Sequence, residues 1–241
     1  MSDINEQLVL VGGLSASGKS ASLRNIRNQN KWLYLNTEAG KRLPFRNQFQ
    51  TFLIEDPWQV HEAFDHAKET KDVEGIVVDS ATFLMDMFES QYVLNAVNTQ
   101  KAWQDFAQFF KVLMQSKVTA LGKPAIFMAH VREEYDETAM AMKTSVPIKG
   151  SLKNNGIEAY FSTVVASKRI TIKDLAPFKS ALLNITLEEE ALGFKHVFQT
   201  RLTKGTIHER IRSPMGMFSP DETYMDNDVQ VLLDHLKSFY N

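Results

Sequence analysis

Residues Gly13, Leu14, Ser15, Ala16, Ser17, Gly18, Lys19 and Ser20 match the pattern G-x-x-x-x-G-K-[ST]. The glycines let successive backbone N–H groups turn inward around phosphates, and a helix opening at the end of the loop adds unpaired donors. Lys19 is placed to reach the β- and γ-phosphates, and the Ser20 hydroxyl to ligate Mg²⁺. The spacing predicts a nucleoside triphosphate site, best suited to ATP with Mg²⁺, over residues 13–21, with Ala21 at its far end. The alternative, a glycine-rich turn without a ligand, fits poorly with the apolar strand before the motif and the helix expected after it. Two carboxylates stand at positions that complete such a site. Asp79 closes the run Ile76-Val77-Val78-Asp79, where it either holds the metal, in part through water, or caps the next helix. Glu38 follows Tyr34-Leu35-Asn36-Thr37, where it either orients the water attacking the γ-phosphate or is an ordinary loop carboxylate.

Positioning these groups on one edge requires a parallel sheet, and the apolar pattern supplies the strands. Residues 7–12, 32–36, 75–79 and 125–129 read as short buried strands, with 161–172, 180–187 and 195–203 to follow. Helices are expected at about 19–28, at 57–70 after Asp56-Pro57, at about 83–121, and in a tail from about Asp226. Trp103, Phe106, Phe109, Phe110, Leu113 and Met114 recur at helical spacing and read as core. Residues 131–150 show no period and read as a long loop, a kind of segment that is often functional. The alternation predicts an α/β fold with a central, mostly parallel sheet flanked by helices, in one domain over 1–241 with a C-terminal helix.

The 241 residues include no cysteine, which excludes disulfides and cysteine-based zinc sites, and the 6 histidines have no metal-ligand spacing. No run approaches the length of a membrane helix, and no secretory leader is visible, so a cytoplasmic protein is expected. The net charge is −2, but it is unevenly spread. Residues 143–213 carry 12 basic and 6 acidic side chains, whereas 1–142 carry 14 and 18, and 214–241 carry 1 and 5. The basic block could face a polyanion or be an ordinary solvated surface.

Taken in order, these segments resemble the RecA-type recombinase core, a RecA-like P-loop NTPase fold. LYLNTEAG is similar to the segment that supplies that family's catalytic glutamate, and GIVVDSATFL to its acidic strand. AIFMAHVRE resembles the next strand, which ends on a γ-phosphate sensor in the family; here His130 stands in that place, with a core histidine as the alternative. The resemblance implies that residues 133–150 correspond to a DNA-binding loop, with Lys143, Lys149 and Lys153 for phosphates and Tyr135 for stacking on a base. Glu133, Glu134, Asp136 and Glu137 would oppose DNA there. It also implies cations acting on a neighbouring subunit's nucleotide, for which Arg201 and Lys204 are candidates and Arg210 and Arg212 rivals.

With only about seven residues before the first strand, the chain resembles phage-encoded nucleotide-binding proteins that include single-strand annealing proteins. QTRLTKGTIHERIRSPMGMF also looks like that group. This implies an ATPase in the host cytoplasm that binds single-stranded DNA and promotes annealing or strand pairing. A homo-oligomeric filament or ring and a single-strand binding protein are the partners implied. A P-loop small-molecule kinase, or a nucleotide-dependent interaction protein such as a helicase loader, remains the alternative.

Overall fold

The computed structural model describes residues 5–137 and 140–241. The strands are β1 (Leu8–Gly13), β2 (Trp32–Asn36), β3 (Gln50–Leu53), β4 (Gly75–Asp79), β5 (Ala125–His130), β6 (Arg132–Asp136), β7 (Ala141–Ser145), β8 (Thr163–Thr171), β9 (Phe194–Gln199) and β10 (Tyr224–Asp226). The helices are α1 (Trp58–Glu69), α2 (Ala81–Phe88), α3 (Thr99–Val112), α4 (Thr119–Leu121), α5 (Ile172–Leu175), α6 (Leu187–Leu192) and α7 (Val229–Tyr240). Eight strands form one sheet in the order β10-β9-β8-β1-β5-β4-β2-β3. From β8 to β3 all neighbours are parallel, and β9 and β10 add antiparallel pairs at one side.

The central strands are apolar on both faces because helices cover both. Leu8, Leu10, Leu33, Leu35, Ile76, Val78 and Phe127 belong to the core shared with α1, α2 and α3. Their sequence neighbours Val9, Val11, Tyr34, Val77, Ile126 and Met128 point the other way, as the period of two requires, into a second core closed by α7. On α7, Val229, Leu232, Leu233 and Leu236 are the buried stripe, and Asp228 caps its N-terminus by accepting from Gln230 and Val231 N–H. The parallel order places the carboxyl ends of β1, β2, β4 and β5 on one edge, with Gly13, Asn36, Asp79 and His130 as their last residues.

Several expectations are corrected. The helix expected at 19–28 is a single 3₁₀ turn, Ser20–Leu23. The Ser22 hydroxyl bonds the Lys19 carbonyl at 2.5 Å, Asn25 is drawn to Asp228, Arg27 N–H donates to Gln230, and Asn28 turns left-handed. Side chains and α7 thus satisfy groups that a longer helix would have paired internally. The stretch 83–121 breaks between Val93 and Asn98, where Asn98 caps α3, and π turns interrupt it elsewhere.

Residues 131–150 are not a structureless loop: β6 and β7 pair as an antiparallel hairpin, with Glu134 opposite Lys143 and Tyr135 opposite Met142. Most of its residues are exposed, so no apolar alternation marks it; Thr138 and Ala139, within this stretch, lie outside the described residues. Residues 180–187 form no strand. β9 already has β8 and β10 on its two sides, and Leu183 and Ile185 instead pack against Leu175, Val197 and Tyr224. Thr186 then opens α6 through a reciprocal capping box with Glu189.

Candidate nucleotide site

The loop between β1 and the 3₁₀ turn needs glycine at both marked positions. A Cβ on Gly13 would lie 2.3 Å from Ser17 Oγ and 2.8 Å from the Ser167 carbonyl. Gly18 has φ +101°, and a Cβ there would lie 2.6 Å from Asn227 Nδ2. The loop is clamped from the β8–β10 side: Ser167 Oγ donates to the Ser17 carbonyl at 2.9 Å, Asn227 Nδ2 to the Gly18 carbonyl at 2.8 Å, and His196 Nδ1 lies 2.8 Å from the Ser17 carbonyl. None of these three positions carries a readable sequence signal. They lie 150 to 209 residues away, and only the antiparallel extension of the sheet brings them back.

Lys19 is buried, and its ammonium donates to the Gly13 and Leu14 carbonyls at 2.9 and 2.8 Å. Burial lowers its pKa to about 8, against the opposing pull of Asp79 and Glu38. Ser20 Oγ and Tyr34 OH both donate to Asp79 Oδ2, each at 2.9 Å. Asp79 Oδ1 is buried without a hydrogen-bond partner. Burial, then the charge of Glu38, raises the Asp79 pKa from its ordinary value. A hydroxyl and a desolvated carboxylate with one oxygen free suit a hard dication such as Mg²⁺, which would offset the buried charge. Among the described residues no cluster of three or more histidine, aspartate or glutamate side chains could hold a metal. Such an ion would therefore complete its shell with phosphate oxygens and water.

Glu38 reaches the same cavity, of about 420 Å³, with Lys19, Ser20, Asp79 and His130. Its Oε1 lies 3.0 Å from His130 Nε2 and its Oε2 3.0 Å from Lys41 Nζ. The His130 hydrogen bond, then Lys41, lowers the Glu38 pKa to about 2 against the opposing effect of burial, so the side chain is a fixed anion. His130 is itself set by Thr82 Oγ1, which accepts its N–H at 3.0 Å, and by the ring of Phe83 edge-on at 5.5 Å. Thr37 ties the ends of β2 and β4 together: its N–H donates to the Asp79 carbonyl and its hydroxyl to the Ser80 carbonyl. Glu38, Asp79 and His130 thus line one cavity with the P-loop.

A family model described as an AAA domain matches residues 5–200. The chain belongs to this AAA domain family. Among solved structures, the AAA domain is similar to the crystal structure of the RadB recombinase, at 17% identity over 68% of this chain and 76% of that chain, with a TM-score of 0.42. No curated protein matches it. Among the described residues, no helix of the AAA domain is long and apolar enough to cross a membrane.

The expected nucleic-acid residues line a second groove of the AAA domain, of about 710 Å³, between the β6–β7 hairpin and the end of α2. Tyr135 is 58% exposed, and Lys153, on the 3₁₀ turn Gly150–Lys153, is exposed as well. The other two cations are engaged: Lys143 pairs with Asp136, and Lys149 reaches both Glu89 carboxylate oxygens at 2.7 and 2.8 Å. Arg201 and Lys204 do not join the nucleotide cavity of their own chain. β9 runs antiparallel to β8, so its carboxyl end points toward the sheet edge opposite the P-loop, and the Arg201 guanidinium donates to the Phe218 carbonyl. Arg210 is held by Glu158 and by the Asn155 carbonyl.

Proposed function

We propose that this AAA-family protein binds and hydrolyses magnesium-ATP and couples the nucleotide to single-stranded DNA, promoting annealing or strand pairing. The observation that carries the reading is the connection between the two cavities. β5 ends on His130, bonded to Glu38 in the nucleotide cavity, and β6 begins at Arg132 as the first strand of the hairpin that walls the second groove. A change in what Glu38 and His130 contact is thereby carried, two residues on, into the placement of Tyr135, Lys143 and Lys149. Lys19 would hold the β- and γ-phosphates, Ser20 and Asp79 the magnesium, and Glu38 would orient the attacking water with His130 reporting the γ-phosphate. Magnesium supplies charge neutralisation between the phosphates. Arg201 and Lys204, neither of which lines their own chain's site, are candidates to act on a neighbouring subunit in a filament or ring.

Oligonucleotide filter binding over a salt series, read beside ATPase activity with and without single-stranded DNA, tests this. A phosphate-tracking groove predicts affinity that falls steeply with salt. Absence of binding at low salt sinks the DNA reading. In that case a nucleotide-dependent protein–protein switch becomes the better account, one favoured by the carboxylates Glu133, Glu134 and Asp136 on the hairpin.

A further inference from the structure

The turn after β2 is built to present a second lysine to the nucleotide cavity. Asn36, 4% exposed, uses both ends of its amide: Oδ1 accepts the Glu38 N–H at 2.9 Å, and Nδ2 donates to the Lys41 carbonyl at 2.9 Å. The Lys41 N–H closes the turn onto the Glu38 carbonyl at 3.1 Å. Between them Ala39 and Gly40 are both left-handed, with φ of +52° and +76°, a conformation that a residue with a Cβ adopts reluctantly. The chain therefore doubles back, and the Lys41 ammonium arrives 3.0 Å from Glu38 Oε2 in the cavity that Lys19, Ser20, Asp79 and His130 line.

An ion pair with a lysine side chain that is 68% exposed contributes little stability, so it does not by itself account for a buried clamp and a strained turn. The charges of the cavity do. A triphosphate there meets the carboxylates of Glu38 and Asp79; Lys19 is the cation the P-loop provides, and Arg42 also lines the cavity, but Lys41 is the one that reaches Glu38. Arg201 and Lys204 do not line the cavity.

Resting on the reading of this cavity as a triphosphate site, we propose that Lys41 is the chain's own γ-phosphate cation. It would exchange Glu38 Oε2 for the terminal phosphate when a triphosphate binds. The exchange leaves one carboxylate oxygen of Glu38 open to water, so the same movement that grips the γ-phosphate releases the group that orients its attacker. Because a diphosphate lacks the terminal phosphate that Lys41 would take, Lys41 would distinguish ATP from ADP.

The test compares Lys41→Met and Lys41→Arg with wild type in the full chain, measuring the affinities for Mg-ADP and for a non-hydrolysable Mg-ATP analogue together with kcat and KM. In Lys41→Met the analogue should bind roughly tenfold or more weakly, with ADP affinity unchanged and kcat reduced at saturation. Lys41→Arg should restore most of both. Unchanged ADP affinity also shows that the variant is folded around the nucleotide. An unchanged ratio of analogue to ADP affinity in Lys41→Met overturns the proposal, as does an equal loss of both with a lowered melting temperature, which would make the turn purely structural. Lys19→Ala separates this from the underlying reading. If Lys19→Ala abolishes binding while Lys41→Met leaves the ratio alone, only the Lys41 assignment fails. If Lys19→Ala binds nucleotide like wild type, the cavity reading fails and takes the Lys41 assignment with it.

Discussion

The nucleotide cavity and the hairpin groove are both lined by charged side chains, and they differ in how those charges are held. In the nucleotide cavity the groups are held by internal hydrogen bonds: Lys19 by two loop carbonyls, Asp79 by the Ser20 and Tyr34 hydroxyls, and the P-loop carbonyls by the side chains of Ser167, His196 and Asn227. Their pKa values are displaced, and one carboxylate oxygen of Asp79 lacks a partner. In the groove Lys143 and Lys149 are 48% and 62% exposed at their side chains and paired with carboxylates of the same chain, Lys143 with Asp136 and Lys149 with Glu89. The first region holds its loop, carboxylates and cations in one place around a single cavity, so a ligand needs only local exchanges such as that of Lys41 from Glu38. The second must break its own ion pairs before it can hold a polyanion, which favours weak, salt-sensitive and adjustable binding.

The largest test of this contrast is Lys19→Ala. Nucleotide affinity should fall by on the order of a hundredfold in a calorimetric titration, since a buried cation is removed from the phosphates. Nucleotide-independent binding of single strands at low salt should persist, and its loss would show that the two regions are not separable. Glu38→Gln should lower turnover by roughly a hundredfold or more while leaving Mg-ATP affinity nearly intact, measured by steady-state ATPase and equilibrium binding.

Smaller effects are expected in the groove. Glu89→Gln releases Lys149 and should raise oligonucleotide affinity several-fold. Lys149→Ala should lower it and reduce the salt slope by about 1. No change in either variant would mean that Lys149 does not meet phosphate. The smallest effect is a titration. His130→Phe removes the main cause of the low Glu38 pKa, so its carboxyl ¹³C resonance should titrate nearer the ordinary 4.5 than the native value of about 2. The sign for stability follows: a depressed carboxylate pKa contributes stability above the unfolded value that is lost as pH falls toward 2, so the variant should be less stable at pH 7 and closer to wild type below pH 2.

Much of the central architecture was legible before any coordinates. β2 and β4 occupy the expected residues, and β1, β5, α1 and α7 lie within a few residues of them, because strands buried on both faces and an amphipathic tail leave strong local patterns. The hairpin was missed because its residues face water and carry no alternation, and β3 because an exposed edge strand of four residues has no apolar signature. The expected strand at 180–187 was apolar enough, but the segment meets the outer strand β10 through a single backbone bond, Asp226 N–H to the Leu182 carbonyl, and its apolar side chains pack on Leu175, Val197 and Tyr224 without a ladder.

By itself the sequence pointed to the groups whose chemistry is local: the glycines, Lys19 and Ser20 of one loop, Asp79 at the end of one buried strand, and Glu38 two residues past the end of another. A contiguous motif encodes its own backbone, and a strand's last residue inherits its place from the strand. Only the tertiary structure decided which distant groups restrain that loop, that the following segment stops after one 3₁₀ turn, that His130 lies against Glu38, and that Lys41 is turned back into the cavity by Asn36. Those depend on contacts between residues far apart in sequence, or on the competition of side chains for backbone groups, and neither leaves a periodic trace along the chain.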